Sequence, residues 1–206
     1  EINECNRAIL MELIILLLVL AVLAFWAASI YNQLVALKNR HENGFSQIEV
    51  QLKRRYDLIP NLVETAKAYM AHERDTLEAV IAARNQAMAG LEAAASNPGD
   101  GTAMQELAGA EGILTNAMGR LNVVMEAYPD LKANTNMMQL TEELTTTENK
   151  VAFSRQAFND QITEYNTYRA SFPPILFANI FGHPTDAQLL EFEDSAEIQA
   201  APKVSF

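Results

Sequence analysis

Twenty-five consecutive residues, 13–37, carry no charged side chain, and this run limits the possible folds more than any other feature. A helix needs about 20 apolar residues to cross the ~30 Å hydrocarbon core of a bilayer. The run consists mainly of Leu, Ile, Val and Ala, and Phe25, Trp26 and Tyr31 follow in its second half. Aromatic side chains favour the interface between membrane and water. The sequence therefore predicts a transmembrane anchor at residues 13–33, preceded by a short tail at residues 1–12.

A cleaved signal peptide is the alternative interpretation of this run. Signal peptides have a shorter apolar region of about 7–15 residues that follows basic residues and ends at a site with small side chains. Only Arg7 precedes the run here, although Ala27-Ala28-Ser29 has the form of a cleavage site. The uncleaved anchor is favoured. Met11 would make a natural start, since residues 1–10 match no known feature.

Basic residues in the two flanks predict the orientation of the anchor. Arg7 is the one basic residue before the run, and five follow it: Lys38, Arg40, Lys53, Arg54 and Arg55. Lys and Arg are enriched on the cytoplasmic side of membrane proteins. We therefore expect the carboxyl-terminal domain in the cytoplasm.

Charge is distributed unevenly along the chain, whose net charge is −11. This acidic balance argues against nucleic acid as a partner, because such proteins neutralise phosphates with Lys and Arg. Residues 38–55 are basic and could contact anionic lipid headgroups, whereas the sequence from residue 85 onward is strongly acidic. Solvated helix faces would explain both regions equally well. A single cysteine excludes an internal disulfide framework.

Periodic apolar residues predict four helices after the anchor. The spacing in the third is typical of a left-handed coiled-coil seam. The predicted ranges are 34–57, 61–95, 102–127 and 135–171. Pro60 is expected to end the first helix, and Asn61 to cap the second. Short connections favour antiparallel neighbours. The predicted fold is all-α: the transmembrane helix continues into an antiparallel up-and-down four-helix bundle over residues 34–171. In the alternative, the first helix continues through Pro60 with a kink, as a long rod with two helices folded against it.

Residues 172–183 form an apolar tail that contains two prolines and is too short to span a bilayer. It is expected to pack on its own bundle first, and otherwise on a neighbouring subunit or the membrane. The following residues, 184–206, are acidic and predicted to be a loose tail.

Patterns for metal binding and catalysis are missing from the sequence. A di-iron bundle requires Glu-x-x-His motifs, and none occurs, while His72 and Glu73 are adjacent and point to different faces. The sequence also lacks a Gly-x-Ser-x-Gly motif and a Gly-rich phosphate loop followed by Lys-Ser/Thr. We therefore assign no catalytic, cofactor-binding or metal-binding residue, and predict that the protein is not an enzyme.

Two groups of residues are candidates for an interaction surface. The first is polar and lies at the expected turn between the first two helices: Arg54, Arg55, Asp57 and Asn61. Turn and cap contacts, with surface ion pairs of little energy, are the simpler explanation for it. The second group is aromatic and belongs to the apolar tail: Phe172, Phe177 and Phe181.

Several motifs resemble the LemA family. The segment 42–65, ENGFSQIEVQLKRRYDLIPNLVET, is similar to the family signature, as are YNQLV at 31–35, AHER at 71–74 and YPDLKAN at 128–134. The resemblance covers residues 31–182. It implies a single-pass bacterial inner-membrane protein with an antiparallel helical bundle. It implies no activity and provides no catalytic residue to carry over.

These observations together predict a non-enzymatic homo-oligomer that scaffolds or organises the inner membrane. Its expected partners are membrane lipids and further copies of the chain. The alternative is an adaptor or sensor that binds a separate, unidentified membrane protein. A hydrolase or metal-binding bundle is least favoured, because the sequence offers no site for it.

Overall fold

A computed structural model of the protein describes the backbone of residues 2–192 and the side chains of Arg7 and of Leu10 onward. Most of the predicted acidic tail therefore lies outside the described residues. Within them the chain is helical and has no strand: α1 is Ile2–Lys67, α2 Arg74–Ser96, α3 Gly101–Met125, α4 Pro129–Lys132, α5 Thr135–Ala170 and α6 Ile175–Ala178. The predicted all-α class is confirmed, as is the long helix that continues from the apolar run.

The chain divides into two compact units. One consists of Glu1–Asn39 with Glu164–Asp186, and the other of Arg40–Thr163 with Ala187–Phe206. We call them the anchor unit and the core unit.

The prediction that α1 ends before Pro60 is wrong, because the helix continues through Pro60 to Lys67. A proline inside a helix removes one hydrogen bond and costs ~3 kcal/mol or more. Buried apolar side chains lie on both sides of it at helical spacing, among them Ile59, Leu62 and Val63. Each such side chain contributes about 1.5–3 kcal/mol when buried. Their burial offsets the lost bond, and Asn61 lies inside α1 and does not cap α2.

The chain turns instead at residues 68–73, which contain neither Pro nor Gly. Met70 is buried there, and its backbone N–H donates to the Ala66 carbonyl at 2.9 Å. Two further hydrogen bonds come from the connection between α3 and α5. Asn134 Nδ2 donates to the Tyr69 hydroxyl at 3.1 Å, and the Tyr128 hydroxyl donates to Glu73 Oε1 at 3.3 Å. The turn is therefore held by residues distant in sequence.

The bounds of α3 agree with the predicted range 102–127 to within two residues. Gly99 has φ +90°, which a residue with a Cβ rarely adopts. The Asp100 carboxylate accepts from the Ala103 backbone N–H at 3.0 Å and so caps the helix. Leu107, Leu114 and Leu121, spaced by seven residues along α3, are fully buried. The interruption expected between the predicted ranges 102–127 and 135–171 also occurs, and α5 begins at Thr135.

The hydrophobic core of the core unit is built from α1, α2, α3 and α5. Its α1 and α5 sides meet where the rings of Phe45 and Phe158 pack edge to face, with centroids 5.5 Å apart. Helices α2 and α3 approach closely at Gly90, where an added Cβ would lie 3.3 Å from the Leu107 Cα. The short α4 adds the buried Leu131.

Candidate interaction surfaces and a buried ion pair

Three charged side chains lie on the apolar faces of their helices in the core unit. They are Arg55 of α1, Glu111 of α3 and Arg155 of α5, with exposed fractions of 6%, 1% and 7%. A buried apolar residue precedes and follows each of them three or four positions away in the sequence. Charged groups are rarely buried unless they are paired, so their partners define the polar part of this core.

Glu111 accepts hydrogen bonds from two neighbouring residues of α1. Arg55 Nη1 donates to Glu111 Oε2 at 2.6 Å, and the Tyr56 hydroxyl donates to Glu111 Oε1 through a short hydrogen bond. Arg55 Nη2 also lies 3.3 Å from Glu148 Oε1 of α5, a half-exposed carboxylate. These contacts among Arg55, Tyr56, Glu111 and Glu148 thus join α1, α3 and α5.

Burial and the negative charge of Glu111 raise the pKa of Tyr56 far above its ordinary value of 10. The phenol therefore remains protonated at physiological pH and keeps donating to the carboxylate. The backbone carbonyl of Tyr56 in turn accepts from Arg84 Nε at 3.0 Å. A positive charge and a neutral donor both bind the negatively charged Glu111 here. This arrangement suits a structural contact.

A cavity of about 160 Å³ lies beside this cluster, lined in part by Arg55, Thr115, Glu148 and Arg155. The Arg155 guanidinium lies 4.4 Å from the centre of the Phe192 ring, a cation–π contact. Through it, the segment after α6 covers one side of the buried polar cluster.

The structure separates the residues of the predicted polar interaction surface. Arg55 is buried and belongs to the core, so the expectation that it forms surface ion pairs is wrong. Arg54, Asp57 and Asn61 are exposed, but they lie within α1 and not at a turn. Asp57 Oδ1 lies 3.8 Å from Arg84 Nη2, a weak surface pair. An interaction role for these three exposed residues remains a prediction.

Sequence reasoning missed Glu111 and Arg155, although a signal for both was present. Glu111 interrupts the apolar face of α3 between Leu107 and Leu114, and Arg155 interrupts that of α5 between Val151 and Phe158. A charged residue in the middle of a regular apolar face points to a buried partner on another helix. Arg55 breaks the same pattern in α1.

A long stretch of α1 in the anchor unit has almost no protein around it. From Leu10 to Ser29 every residue except Ala27 is exposed, and burial begins at Ile30. This helix is long and apolar enough to cross a membrane.

The apolar tail has one packed side and one exposed side. Ala178 is buried, and the rings of Phe177 and Phe181 stack with their centroids 5.7 Å apart. Phe181 also packs edge to face on Tyr31 of α1 at 5.4 Å. The opposite side exposes large apolar side chains by 55–79%: Phe172, Ile175, Leu176 and Ile180. Of the three aromatic residues predicted for an interaction surface, Phe177 and Phe181 are therefore half-buried and Phe172 is exposed.

A polar cluster fixes the chain that follows the tail. The Tyr165 hydroxyl and His183 Nδ1 are 2.9 Å apart, and Arg169 Nε donates to the His183 carbonyl at 2.8 Å. Arg169 also binds Asp186, with 2.5 Å between Nη1 and Oδ1. Burial, with the nearby charges of Lys38 and Arg169, lowers the pKa of His183 below its ordinary value of 6.5. These bonds attach the chain that follows the tail to α5.

Two further features bear on function. Among the described residues, no group of three or more His, Cys, Asp or Glu side chains is arranged to hold a metal ion. A groove of about 700 Å³ lies along the end of α1 and the start of α2, and Val63, Met70, Leu77 and Ile81 are its main apolar residues.

Comparison with known proteins identifies relatives over most of the chain. The family model described as LemA family matches residues 44–206. The magnetosome protein MamQ of Magnetospirillum gryphiswaldense is 27% identical, in an alignment covering 83% of this chain and 69% of MamQ. The magnetosome protein MamQ 2 of Paramagnetospirillum magneticum is 28% identical, over 80% of this chain and 66% of the relative. Protein LemA of Metamycoplasma hominis is 25% identical, over 66% of this chain and 58% of the relative. The match to the family model covers well over half of the sequence, and the chain therefore belongs to the LemA family.

Proposed function

We propose that this protein is a non-enzymatic, single-pass protein of the bacterial inner membrane that self-associates and organises the membrane around it. The observation that carries the proposal is the uncovered stretch of α1 from Leu10 to Ser29. Twenty residues at 1.5 Å each extend over ~30 Å, the thickness of the hydrocarbon core. An exposed apolar surface of this size is costly in water and stable in lipid.

The non-enzymatic part of the proposal is supported by the chemistry of the buried polar groups. Glu111, a fully buried carboxylate, is already bonded to Arg55 and Tyr56. A general base needs a proton-bearing substrate within hydrogen-bond reach. A carboxylate held in the core between a guanidinium and a phenol does not meet this requirement.

Self-association is supported by a large apolar side chain exposed on the core unit. Phe153 on α5 has an exposed fraction of 76%. An aromatic side chain buried between subunits is a frequent source of binding energy, and Phe153 is therefore the residue to test first.

The experiment measures the mass of the full chain in lipid nanodiscs and in detergent, by light scattering and electron microscopy. We expect homomeric particles much heavier than the 22.8 kDa protomer. Phe153→Ser should reduce their size, whereas the control Gln156→Ser, at an exposed position one turn away, should not. Monomers at all lipid-to-protein ratios would refute self-association.

The groove beside α1 and α2 supports the alternative, an adaptor that binds another membrane protein. Its apolar lining could accept an amphipathic helix. Chemical crosslinking in cells distinguishes the two functions. A defined complex with one other protein, lost on Ile81→Asp and retained on Phe153→Ser, favours the adaptor. Crosslinks confined to copies of this chain favour the scaffold.

We further propose that the core unit lies in the cytoplasm, as the basic residues after the anchor suggest. The test uses a Cys5→Ser background with either Asn3→Cys or Ser96→Cys. A membrane-impermeant thiol reagent added to intact cells should label position 3 and not position 96. The opposite labelling would place the core unit in the periplasm.

A further inference from the structure

The burial pattern of α1 indicates where a bilayer around this helix would end. The uncovered stretch ends at Ser29, and Ile30, Leu34 and Leu37 are then buried within the anchor unit. If lipid surrounds the uncovered residues, the boundary between acyl chains and headgroups lies close to Ile30.

The apolar tail lies at this same level of α1. Phe181 contacts Tyr31, with ring centroids 5.4 Å apart. Tyr31 follows the first buried residue of α1 directly, and a tyrosine at a membrane interface keeps its ring in the apolar layer and its hydroxyl in water. The tail is therefore beside the membrane surface and not at a distance from it.

The exposed side of the tail has the chemistry of a membrane-inserting surface. Four large apolar side chains point away from the protein: Phe172, Ile175, Leu176 and Ile180. Residues 172–182 contain no charged side chain. The lowered pKa of His183 keeps the next ring neutral. No charge has to be desolvated when this side enters the apolar layer.

We propose that residues 172–181 lie in the bilayer interface and insert this apolar side into the same leaflet from which α1 emerges. Lipid is the favoured occupant because the tail packs on Tyr31, two residues after the uncovered stretch of α1 ends. Interfacial segments of this kind bury their apolar face ~5–10 Å into the boundary between headgroups and acyl chains. The tail thus acts as a second membrane contact next to the anchor.

The inference rests on α1 spanning the membrane, and the experiment tests the two separately. The full chain with Cys5→Ser is reconstituted into vesicles of phosphatidylethanolamine and phosphatidylglycerol. Single cysteines at Ile180, Leu23 and Val123 carry an NBD fluorophore. Leu23 reports on the anchor and Val123, on the core unit, is an apolar residue with similar exposure to Ile180.

We expect the probe at position 180 to emit at shorter wavelength than the probe at 123. It should also be quenched by lipids that carry a doxyl group near the top of the acyl chain. The probe at 23 should be quenched by groups deeper in the chain. Loss of quenching at 23 would overturn the anchor itself. Quenching at 23 with water-like emission at 180 would overturn the proposal for the tail alone.

A second copy of the chain is the competing occupant of this surface. In that case the short-wavelength emission at 180 would persist without doxyl quenching and would disappear as the vesicles are enriched in lipid. Either of these results overturns insertion into lipid. Emission and quenching that are independent of the lipid-to-protein ratio support it.

Discussion

Replacing Glu111 by glutamine removes the negative charge that Arg55 faces in the core, and it should destabilise the core unit strongly. Arg55 and Glu111 have exposed fractions of 6% and 1%, and their charged atoms are 2.6 Å apart. Removing one member of a buried pair typically costs ~3–5 kcal/mol, because the other charge stays buried without compensation.

Two contacts should keep the loss at the lower end of this range. Arg55 Nη2 retains Glu148 at 3.3 Å, although that carboxylate is half-exposed and contributes little. The amide oxygen of glutamine can still accept from the Tyr56 hydroxyl. We therefore expect Glu111→Gln to lower the free energy of unfolding by about 3 kcal/mol.

The measurement is urea unfolding of the full chain in detergent micelles, followed by far-UV circular dichroism. Glu106→Gln, an exposed position on the same helix, is the matched control and should change stability by less than about 0.5 kcal/mol. The double variant Arg55→Met with Glu111→Leu removes both charges and should be much more stable than either single variant. Equal effects at positions 111 and 106, or additive losses in the double variant, would refute the reasoning.

Three further predictions concern the same protein. Leu121→Ala should cost roughly 2–5 kcal/mol because the side chain is fully buried, whereas Arg120→Ala, exposed next to it, should cost under about 0.5 kcal/mol by the same unfolding measurement; equal small effects would mean that the register of α3 is wrong. Gly109→Ala should stabilise α3 by about 0.5–1 kcal/mol, since an added Cβ meets no atom within 4 Å and alanine favours the helix; a decrease in the urea midpoint would contradict this. The folded-state pKa of His183 is lowered, so the unfolded chain binds more protons below about pH 6.5, and stability should fall as the pH drops through this value. Urea midpoints measured at several pH values should show a smaller pH dependence for His183→Gln than for the unchanged protein, and an identical profile would refute this.

Local signals predicted the parts of the fold where one helix determines its own ends. The predicted ranges 102–127 and 135–171 lie close to the observed Gly101–Met125 and Thr135–Ala170. The sequence could not show that α1 continues through Pro60, because that depends on burial of Ile59 and Val63 against other helices. The turn at residues 68–73 contains neither Pro nor Gly and is held by hydrogen bonds from Tyr128 and Asn134. These partners are distant in sequence, so no local pattern predicts the turn.

The candidate site was predicted less well, and for a related reason. Arg55 was identified, but its partner is 56 residues away in the sequence. No local spacing links the two residues, so Arg55 was assigned to a surface. The apolar tail was recognised from composition alone, whereas the division into a packed and an exposed side required the contact of Phe181 with Tyr31.

The close packing of α2 on α3 affects the order in which the core unit folds. A connection of a few residues joins these helices, so their pairing closes a short loop and should form early. The apolar face of α1 pairs with α5 later, because Phe158 of α5 leaves the ribosome roughly 110 residues after its partner Phe45. At about 5–20 residues per second, this delay is roughly 6–20 s. During that time the face of α1 is open to other chains, and translation on neighbouring ribosomes would favour contacts between nascent copies of this protein.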